Sequence, residues 1–453
     1  MKKLFKTEKQ KGSKSILIIS QLDMQKAGNQ LLYQMIRGYA VSGYRVIFLT
    51  SNPAFDSNRA DYHELLGSLM AKVSIYRFIP LFRPFAKLIF QVKKILLSHN
   101  PICPKSSLTN VADTVPFGTS GGRDVLGLLS WISFILGGIF KAIQLARLYK
   151  IKVVYGYEIY GAPIAWIVAK MLRIPLITKF QGTIAFPELE RGRAWYKIPH
   201  HLLALKTSAD LVIMENDGTR GKEVLLRLGV PEEKIRFWID GVNKEMYIPR
   251  FEKNILLRKV GLNDNSKIIL TVSRLEKWKR VDRSVMAMAQ VIKKIPNAFL
   301  LVVGDGKERK NLEQLAQILE VRDHVLFEGA VPYDKVKYYL NMCDIFLSLY
   351  DHSNLCNPVL EALECGKCII TINDGSTKAI LKDGYNAILV PKGKLEQDLP
   401  NVLVKVLKDD TLRNYIGRNA KIYAEKHLLS WAEREAIEVK EIERLLKKNI
   451  KEE

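Results

Sequence analysis

The sequence predicts an α/β fold built from two doubly wound, Rossmann-like domains. Three observations lead to this prediction. The chain has 453 residues, more than one core usually holds, since a domain typically contains ~100 to 200 residues. Short apolar runs alternate with helical patterns, which is typical of parallel sheets. The alternation ends near residue 239 and starts again at residue 267, so we expect two separate sheets.

The first domain is predicted to span residues 16–240. A strand at 15–20, a helix at about 28–42 and a strand at 44–50 follow one another with short connections, as at the start of a doubly wound sheet. The same alternation of strands and helices continues through the rest of this domain. The remaining strands of this domain are predicted at 152–156, 175–180, 210–214 and 234–239.

A hinge is expected at residues 241–255 and a second domain at 256–425. Helical patterns again separate the apolar runs, as a parallel sheet requires. The last segment, 426–453, is predicted to be a helix that packs back towards the first domain. The strands of the second domain are predicted at 267–272, 298–304, 325–329, 344–349, 368–372 and 387–390.

The charge balance is the unusual part of the composition. The chain has 70 lysines and arginines against 47 aspartates and glutamates, a net charge of +23. This surplus indicates an anionic partner, namely nucleic acid, a membrane surface or a phosphorylated small molecule, or else a lysine-rich genome. Hydrophobic residues make up 48% and charged residues 26%, which excludes wholesale disorder and fibrous repeats.

The start of the chain predicts a cytoplasmic location. Residues 1–15 form a basic tail with six lysines and one glutamate. No apolar stretch long enough for a secretory signal follows directly, and the five cysteines suit a reducing compartment. Two of them form a CxxC pair without further metal-ligand spacing, so we interpret them as small core residues.

Residues of about 78–145 are predicted to be a basic and apolar insertion in the first domain. Within 81–97, apolar residues recur every three or four positions while Arg83, Lys87 and Lys94 share another face, which predicts a basic amphipathic helix. The apolar run 125–140 is shorter than the ~18 to 20 residues of a membrane span. These segments indicate either peripheral contact with an anionic membrane or an ordinary surface helix.

Two places in the sequence could bind polar or anionic groups of a donor, although a glycine at the first of them could also serve packing alone. Gly28 and Asn29 lie where a loop turns into a helix, and helix N-termini favour polar or anionic groups. The GxGxxG fingerprint is missing at this turn, which counts against a nicotinamide or flavin dehydrogenase. Arg274 and Lys279 follow the first strand of the second domain, where two cations could grip a diphosphate and neutralise it as it leaves.

Further candidates follow the later strands of the second domain. Gly304, Asp305 and Gly306 form a tight turn before a helix. Glu361 lies in the first turns of a helix, where its carboxylate could accept hydrogen bonds from a ribose diol. The alternative is that Glu361 only favours the helix N-terminus electrostatically.

In their order, these motifs resemble retaining glycosyltransferases of family 4, which have the GT-B fold. The resemblance rests on TVSRLEKWKR, on GDG, on the strand end FEG with Gly329, and on the linker IDGVN. It implies two domains facing each other across a cleft, a nucleotide sugar bound by the second and an acceptor by the first. It also implies retention of configuration. No DxD motif is visible at the site, so Arg274, Lys279 and helix N-termini are expected to neutralise the diphosphate without a metal ion. The donor is expected to be a UDP-sugar, and the acceptor a glycan or a lipid-linked acceptor at the inner membrane face.

Several positions depart from the family pattern. The family carries two glutamates separated by seven residues, but here the first is Ser353 and only Glu361 remains. Sugar orientation at that point is therefore not expected to rest on a carboxylate, and Asn354 and Asn357 are candidates for amide contacts to the sugar or phosphate.

The first domain departs from the family as well. Gln181 stands where the family often has a histidine, and a glutamine cannot act as a general base. Glu158, at the end of the preceding strand, is the candidate base, with a purely structural carboxylate as the alternative.

Three other functions are compatible with parts of the sequence. A sugar-nucleotide epimerase of the same architecture would convert a donor without an acceptor. A nucleic-acid-binding protein would suit the net charge, but the basic residues are scattered without a known module, so no nucleic-acid partner is expected. A non-enzymatic scaffold would explain Ser353 and Gln181.

Overall fold

The computed structural model describes residues 14–22, 30–51, 59–78, 125–248 and 252–452. Within them the chain forms two parallel sheets, one of seven strands and one of six, each covered by helices. This confirms the predicted fold class. The predicted phosphate-binding turn at Gly28 and Asn29 and the basic helix at 81–97 lie outside the described residues.

The first sheet has the strand order β3-β2-β1-β4-β5-β6-β7, and all its neighbouring strands are parallel. Its inner strands are buried throughout because helices cover both faces. One strand, β3, was not predicted, because only its first residue is buried and no continuous apolar run marks it. The strands are β1 (Ser15–Ser20), β2 (Arg45–Thr50), β3 (Val73–Arg77), β4 (Val153–Tyr157), β5 (Leu176–Phe180), β6 (Leu211–Glu215) and β7 (Ile235–Trp238).

Eight α-helices are described in the first domain. Among them α4 begins five residues before Pro163, which the helix accommodates in its second turn. They are α1 (Gln30–Val41), α2 (Arg59–Leu66), α3 (Val125–Leu148), α4 (Glu158–Leu172), α5 (Ala185–Glu190), α6 (Ala194–Lys197), α7 (Pro199–Leu205) and α8 (Gly221–Arg227).

The apolar run at 125–140 forms the larger part of α3, which packs into the core of the first domain. Phe134 contacts Phe78 and Tyr160, with ring centroids 5.0 and 5.6 Å apart. The opposite side of the helix exposes Ile132, Leu136 and Phe140. The run therefore contributes to the core of the first domain, while one of its faces is open to solvent. No helix in the described part of the chain is both long and apolar enough to cross a membrane.

The second sheet has the order β10-β9-β8-β11-β12-β13 and is also parallel. Its strands are β8 (Lys267–Val272), β9 (Ala298–Val303), β10 (Val325–Gly329), β11 (Ile345–Ser348), β12 (Cys368–Asn373) and β13 (Ile388–Pro391). Its helices are α9 (Lys253–Lys259), α10 (Val281–Lys294), α11 (Arg309–Ile318), α12 (Tyr333–Met342), α13 (Asn357–Glu364), α14 (Leu395–Lys408) and α15 (Asp410–His427).

The last helix, α16 (Trp431–Glu452), leaves the second domain and packs on α1 of the first. Its Glu438 is buried and accepts hydrogen bonds from Tyr39, from Tyr155 at 2.7 Å and from Lys179 Nζ at 2.9 Å. Burial raises the pKa of Glu438, but the charge of Lys179 and the tyrosine hydroxyls outweigh burial, so this pKa is lowered overall. A charged network thus fastens α16 to the first sheet.

Candidate functional site

The candidate site lies where the loops at the carboxyl ends of the two sheets face each other. Two loops of the second domain are packed backbone to backbone there. A Cβ atom on Gly304 would lie 1.8 Å from the Ser273 carbonyl oxygen, and one on Gly306 would lie 2.4 Å from that of Leu275. These positions must therefore be glycine, and they hold the loop that carries Arg274 and Lys279. Asp305 caps the turn, accepting from the Gly306 N–H at 2.7 Å.

Lys279 is a nearly buried cation, with 9% of its surface exposed. Its Nζ lies 4.0 Å from the ring centroid of Trp278 and 3.8 Å from that of Tyr350, so the aromatic faces stabilise the charge. Among the described residues, no carboxylate forms an ion pair with it. Burial, together with the charge of the exposed Arg274, lowers the pKa of Lys279. Two cations therefore lie at this strand end, and neither forms an ion pair with a carboxylate of the described residues.

Glu361 is buried on α13 and already has a partner that the sequence did not reveal. The Tyr333 hydroxyl, at the start of α12, donates to Glu361 Oε1 at 2.9 Å. Burial raises the pKa of Glu361 to about 7, against the opposing effect of this hydrogen bond. A ligand hydroxyl at Glu361 would therefore meet Tyr333 as well. Gly329, at the end of β10, has a φ of 77°, which glycine adopts without strain.

The two asparagines predicted to contact the sugar or phosphate, Asn354 and Asn357, have different surroundings in the structure. The Asn354 side chain is buried and closes its own loop, accepting from the Tyr350 N–H at 3.0 Å and donating to the Tyr350 carbonyl at 2.9 Å. Both ends of this amide bind the backbone of Tyr350, so Asn354 shapes its own loop. Asn357 is half-buried at the first turn of α13.

On the first-domain side, Glu158 and Gln181 lie together. The Gln181 N–H donates to Glu158 Oε1 at 2.7 Å, and its amide donates to the Tyr157 hydroxyl at 2.6 Å. Glu158 has a φ of 63°, a strained conformation for a residue with a side chain. Burial raises the pKa of Glu158 to about 7, and the charge of Asp217 acts in the same direction.

Asp217 is a site residue that the sequence analysis missed. It follows β6 of the first domain, yet burial raises the pKa of its carboxyl and the side chain of Ser353, from the second domain, acts against this effect. The fold therefore brings a carboxylate from another loop into the neighbourhood of Ser353. The only local signal was the Asp-Gly pair after a strand, which indicates a turn and not a ligand contact.

The loops of the two domains touch directly at this point. The Leu355 N–H donates to the Asp217 carbonyl at 2.8 Å, and the Ser376 N–H donates to that of Gly218 at 3.0 Å. In the part of the chain that the structure describes, no three His, Cys, Asp or Glu side chains are grouped so as to hold a metal ion.

Comparisons with known proteins agree with this architecture. Residues 252–423 match the family described as glycosyl transferases group 1. An uncharacterised glycosyltransferase of Methanocaldococcus jannaschii, MJ1607, is 26% identical over 303 residues, which are 65% of this chain and 75% of that protein. N-acetyl-alpha-D-glucosaminyl L-malate synthase of Bacillus anthracis is 29% identical over 191 residues, which are 42% of this chain and 49% of the enzyme.

A solved structure covers nearly the whole chain. HepE of Anabaena, crystallised with UDP and glucose, superposes with a TM-score of 0.67 at 18% identity, covering 94% of this chain and all of HepE. At this identity the likeness establishes the fold, which is GT-B. Together with the group 1 match and the glycosyltransferase relatives, it defines the chain as an enzyme of the hexosyltransferase type.

Proposed function

We propose that this glycosyltransferase moves a sugar from a UDP-sugar to a glycan or lipid-linked acceptor, with retention of configuration, as enzymes of family 4 do. One observation carries the proposal, namely the nearly buried Lys279 that has no carboxylate partner among the described residues. An uncompensated buried charge is unfavourable in free energy, and an anionic ligand beside it would offset this. A diphosphate fits, because exposed Arg274 can grip its other side.

The arrangement supports a simple division of roles. Arg274 and Lys279 would neutralise the diphosphate as it leaves. Such electrostatic stabilisation is usually the largest single contribution to catalysis. Glu361, with Tyr333 beside it, would hold the ribose. Either the leaving phosphate or Glu158 would take the proton of the acceptor hydroxyl. Since the two cations would neutralise the diphosphate, no metal ion is required. HepE, of the same fold, binds UDP, which favours UDP as the nucleotide.

Calorimetric titration with UDP, GDP and a panel of their sugar conjugates tests the donor. We expect one nucleotide and one of its sugar conjugates to bind, and transfer to appear only when a glycan or glycolipid acceptor is added. Absence of binding to every nucleotide would contradict the proposal. Conversion of the donor without acceptor would favour the epimerase.

Glu158→Gln tests the candidate base. With a pKa raised to about 7, Glu158 is protonated below that pH and can accept a proton only above it. If it is the base, wild-type kcat/KM should rise with pH through about 7, and the glutamine variant should lose ~100-fold or more and the pH step with it. The variant keeps an oxygen that accepts from the Gln181 N–H, so unchanged activity would show that Glu158 is structural.

We further propose peripheral attachment to an anionic membrane at the cytoplasmic face, through the open side of α3. Ile132, Leu136 and Phe140 follow at intervals of four on one face of the helix, and Phe140 is 77% exposed. Lys141 follows directly, and the chain carries a net charge of +23. An apolar stripe beside basic groups is the pattern of interfacial helices.

Replacing Ile132, Leu136 and Phe140 by serine should reduce flotation with phosphatidylglycerol-containing vesicles severalfold, while transfer to a short soluble acceptor persists. Ile318→Ser is the matched control, since Ile318 is equally exposed, at 77%, on the second domain. Equal flotation of the triple variant and the wild type would remove this surface as the attachment site.

A further inference from the structure

The loop Asn216–Thr219 of the first domain packs between loops of the second domain. Its backbone accepts from Leu355 and Ser376, as described above, and the Ser376 hydroxyl also contacts Asn216 Oδ1 and the Thr219 carbonyl, both at 2.7 Å. The fit is tight, since a Cβ atom on Gly218 would lie 2.9 Å from the Leu355 nitrogen. The loop is therefore held in place by contacts that do not involve the Asp217 carboxylate.

That carboxylate is oriented separately. Its Oδ1 accepts from the Thr219 N–H at 3.0 Å and from the Thr219 hydroxyl at 2.6 Å. Its Oδ2 lies over Gly182, where a Cβ atom would come within 2.3 Å of it. Any side chain at position 182 would displace the carboxylate, so the glycine and Thr219 together fix its direction. Such preorganisation is what a substrate-contacting group requires.

Asp217 lies between the proposed diphosphate site and the acceptor side of the cleft. On one side it lies over Gly182, next to Gln181, whose N–H binds Glu158. On the other it contacts Leu355, in the same loop as Tyr350, whose ring centroid lies 3.8 Å from Lys279 Nζ. Lys279 marks the proposed diphosphate and Glu158 the acceptor side of the cleft. In a transferase the transferred sugar lies between these two. A carboxylate is a strong acceptor of hydrogen bonds from sugar hydroxyls.

We propose that Asp217 is a specificity-determining residue that accepts a hydrogen bond from a hydroxyl of the transferred sugar. This inference rests on the proposed function, because it requires a nucleotide sugar at Lys279. It assigns the first domain a direct contact with the donor, made only when the loop Asn216–Thr219 is seated between the loops of the second domain.

The test compares the binding of the nucleotide alone with the binding of the nucleotide sugar. Dissociation constants of UDP and UDP-glucose, and of GDP and GDP-mannose, are measured for the wild type and for Asp217→Asn, which retains an oxygen for Thr219. For the pair that binds, we expect the nucleotide alone to bind the variant within about twofold of wild type. The sugar conjugate should bind ~10- to 100-fold more weakly, the range for a hydrogen bond to a charged group.

Ser376→Ala is the control for the position of the loop. It should change the dissociation constants of the nucleotide and of its sugar conjugate by the same factor. Thr219→Val is the second variant, expected to weaken only the sugar conjugate, because the carboxylate then loses one orienting donor. An unchanged ratio of the two dissociation constants in Asp217→Asn would overturn this inference while leaving the proposed function intact. A wild type that binds neither nucleotide would overturn both.

Discussion

Lys279→Ala and Arg274→Ala should each lower kcat/KM for sugar transfer by ~100- to 1000-fold, the loss seen when one fixed donor to a developing negative charge is removed. Both residues follow β8, and both would act on the departing diphosphate. The nearly buried Lys279 should also matter for binding, because it neutralises the nucleotide in a site with little water. Steady-state kinetics with the donor identified by titration give the measurement.

Lys277→Ala is the matched control, since Lys277 is an exposed lysine of the same short helical turn. It should retain nearly full activity. The folded state of Lys279→Ala should remain stable, because the change removes a buried charge that has no carboxylate partner among the described residues. Near wild-type turnover in both alanine variants would refute the diphosphate site. Loss of activity together with a large fall in melting temperature would indicate a structural role instead.

Lys179→Met should destabilise the first domain by ~3–5 kcal/mol, because removing one partner of a buried ion pair leaves the other charge uncompensated. Lys179 Nζ lies 2.9 Å from Glu438 and 3.3 Å from Glu215, and all three side chains are buried. The exposed Arg227, paired with Glu223 at 2.7 Å, is the control, and Arg227→Met should change stability by ~1 kcal/mol or less. Urea unfolding, with each domain's transition resolved, gives both values.

The stability difference between wild type and Lys179→Met should depend on pH. The pKa of Glu438 is lowered in the folded state, so its stabilisation is present above its ordinary value of 4.5 and lost as pH falls through the lowered pKa. The pKa of Lys179 is raised, since the carboxylates outweigh burial, so its contribution is present below 10.5 and lost as pH rises beyond the raised pKa. The gap between wild type and Lys179→Met should therefore narrow in acid. A constant gap down to pH 3 would contradict the network.

Residues close together in sequence could be assigned from sequence because the parallel sheet imposes local rules. Arg274 and Lys279 leave one strand end, and Gly304 and Gly306 leave the next, so topology alone brings the two loops to the same edge. The strands were recognisable for a similar reason, since burial on both faces produces continuous apolar runs. Edge strand β3 is half-polar and gave no such signal.

What only the tertiary structure decided depends on contacts between distant segments. Asp217 and Leu355 are in contact because two domains close on each other, and no spacing in the sequence records that approach. The Asn354 amide, predicted from sequence to contact a ligand, binds the backbone of its own loop, which only the folded structure shows. Lys179 and Glu438 pair because the last helix crosses to the first domain. The sequence by itself determined the two sheets and the cationic strand end. Which carboxylates face the cleft was decided by packing.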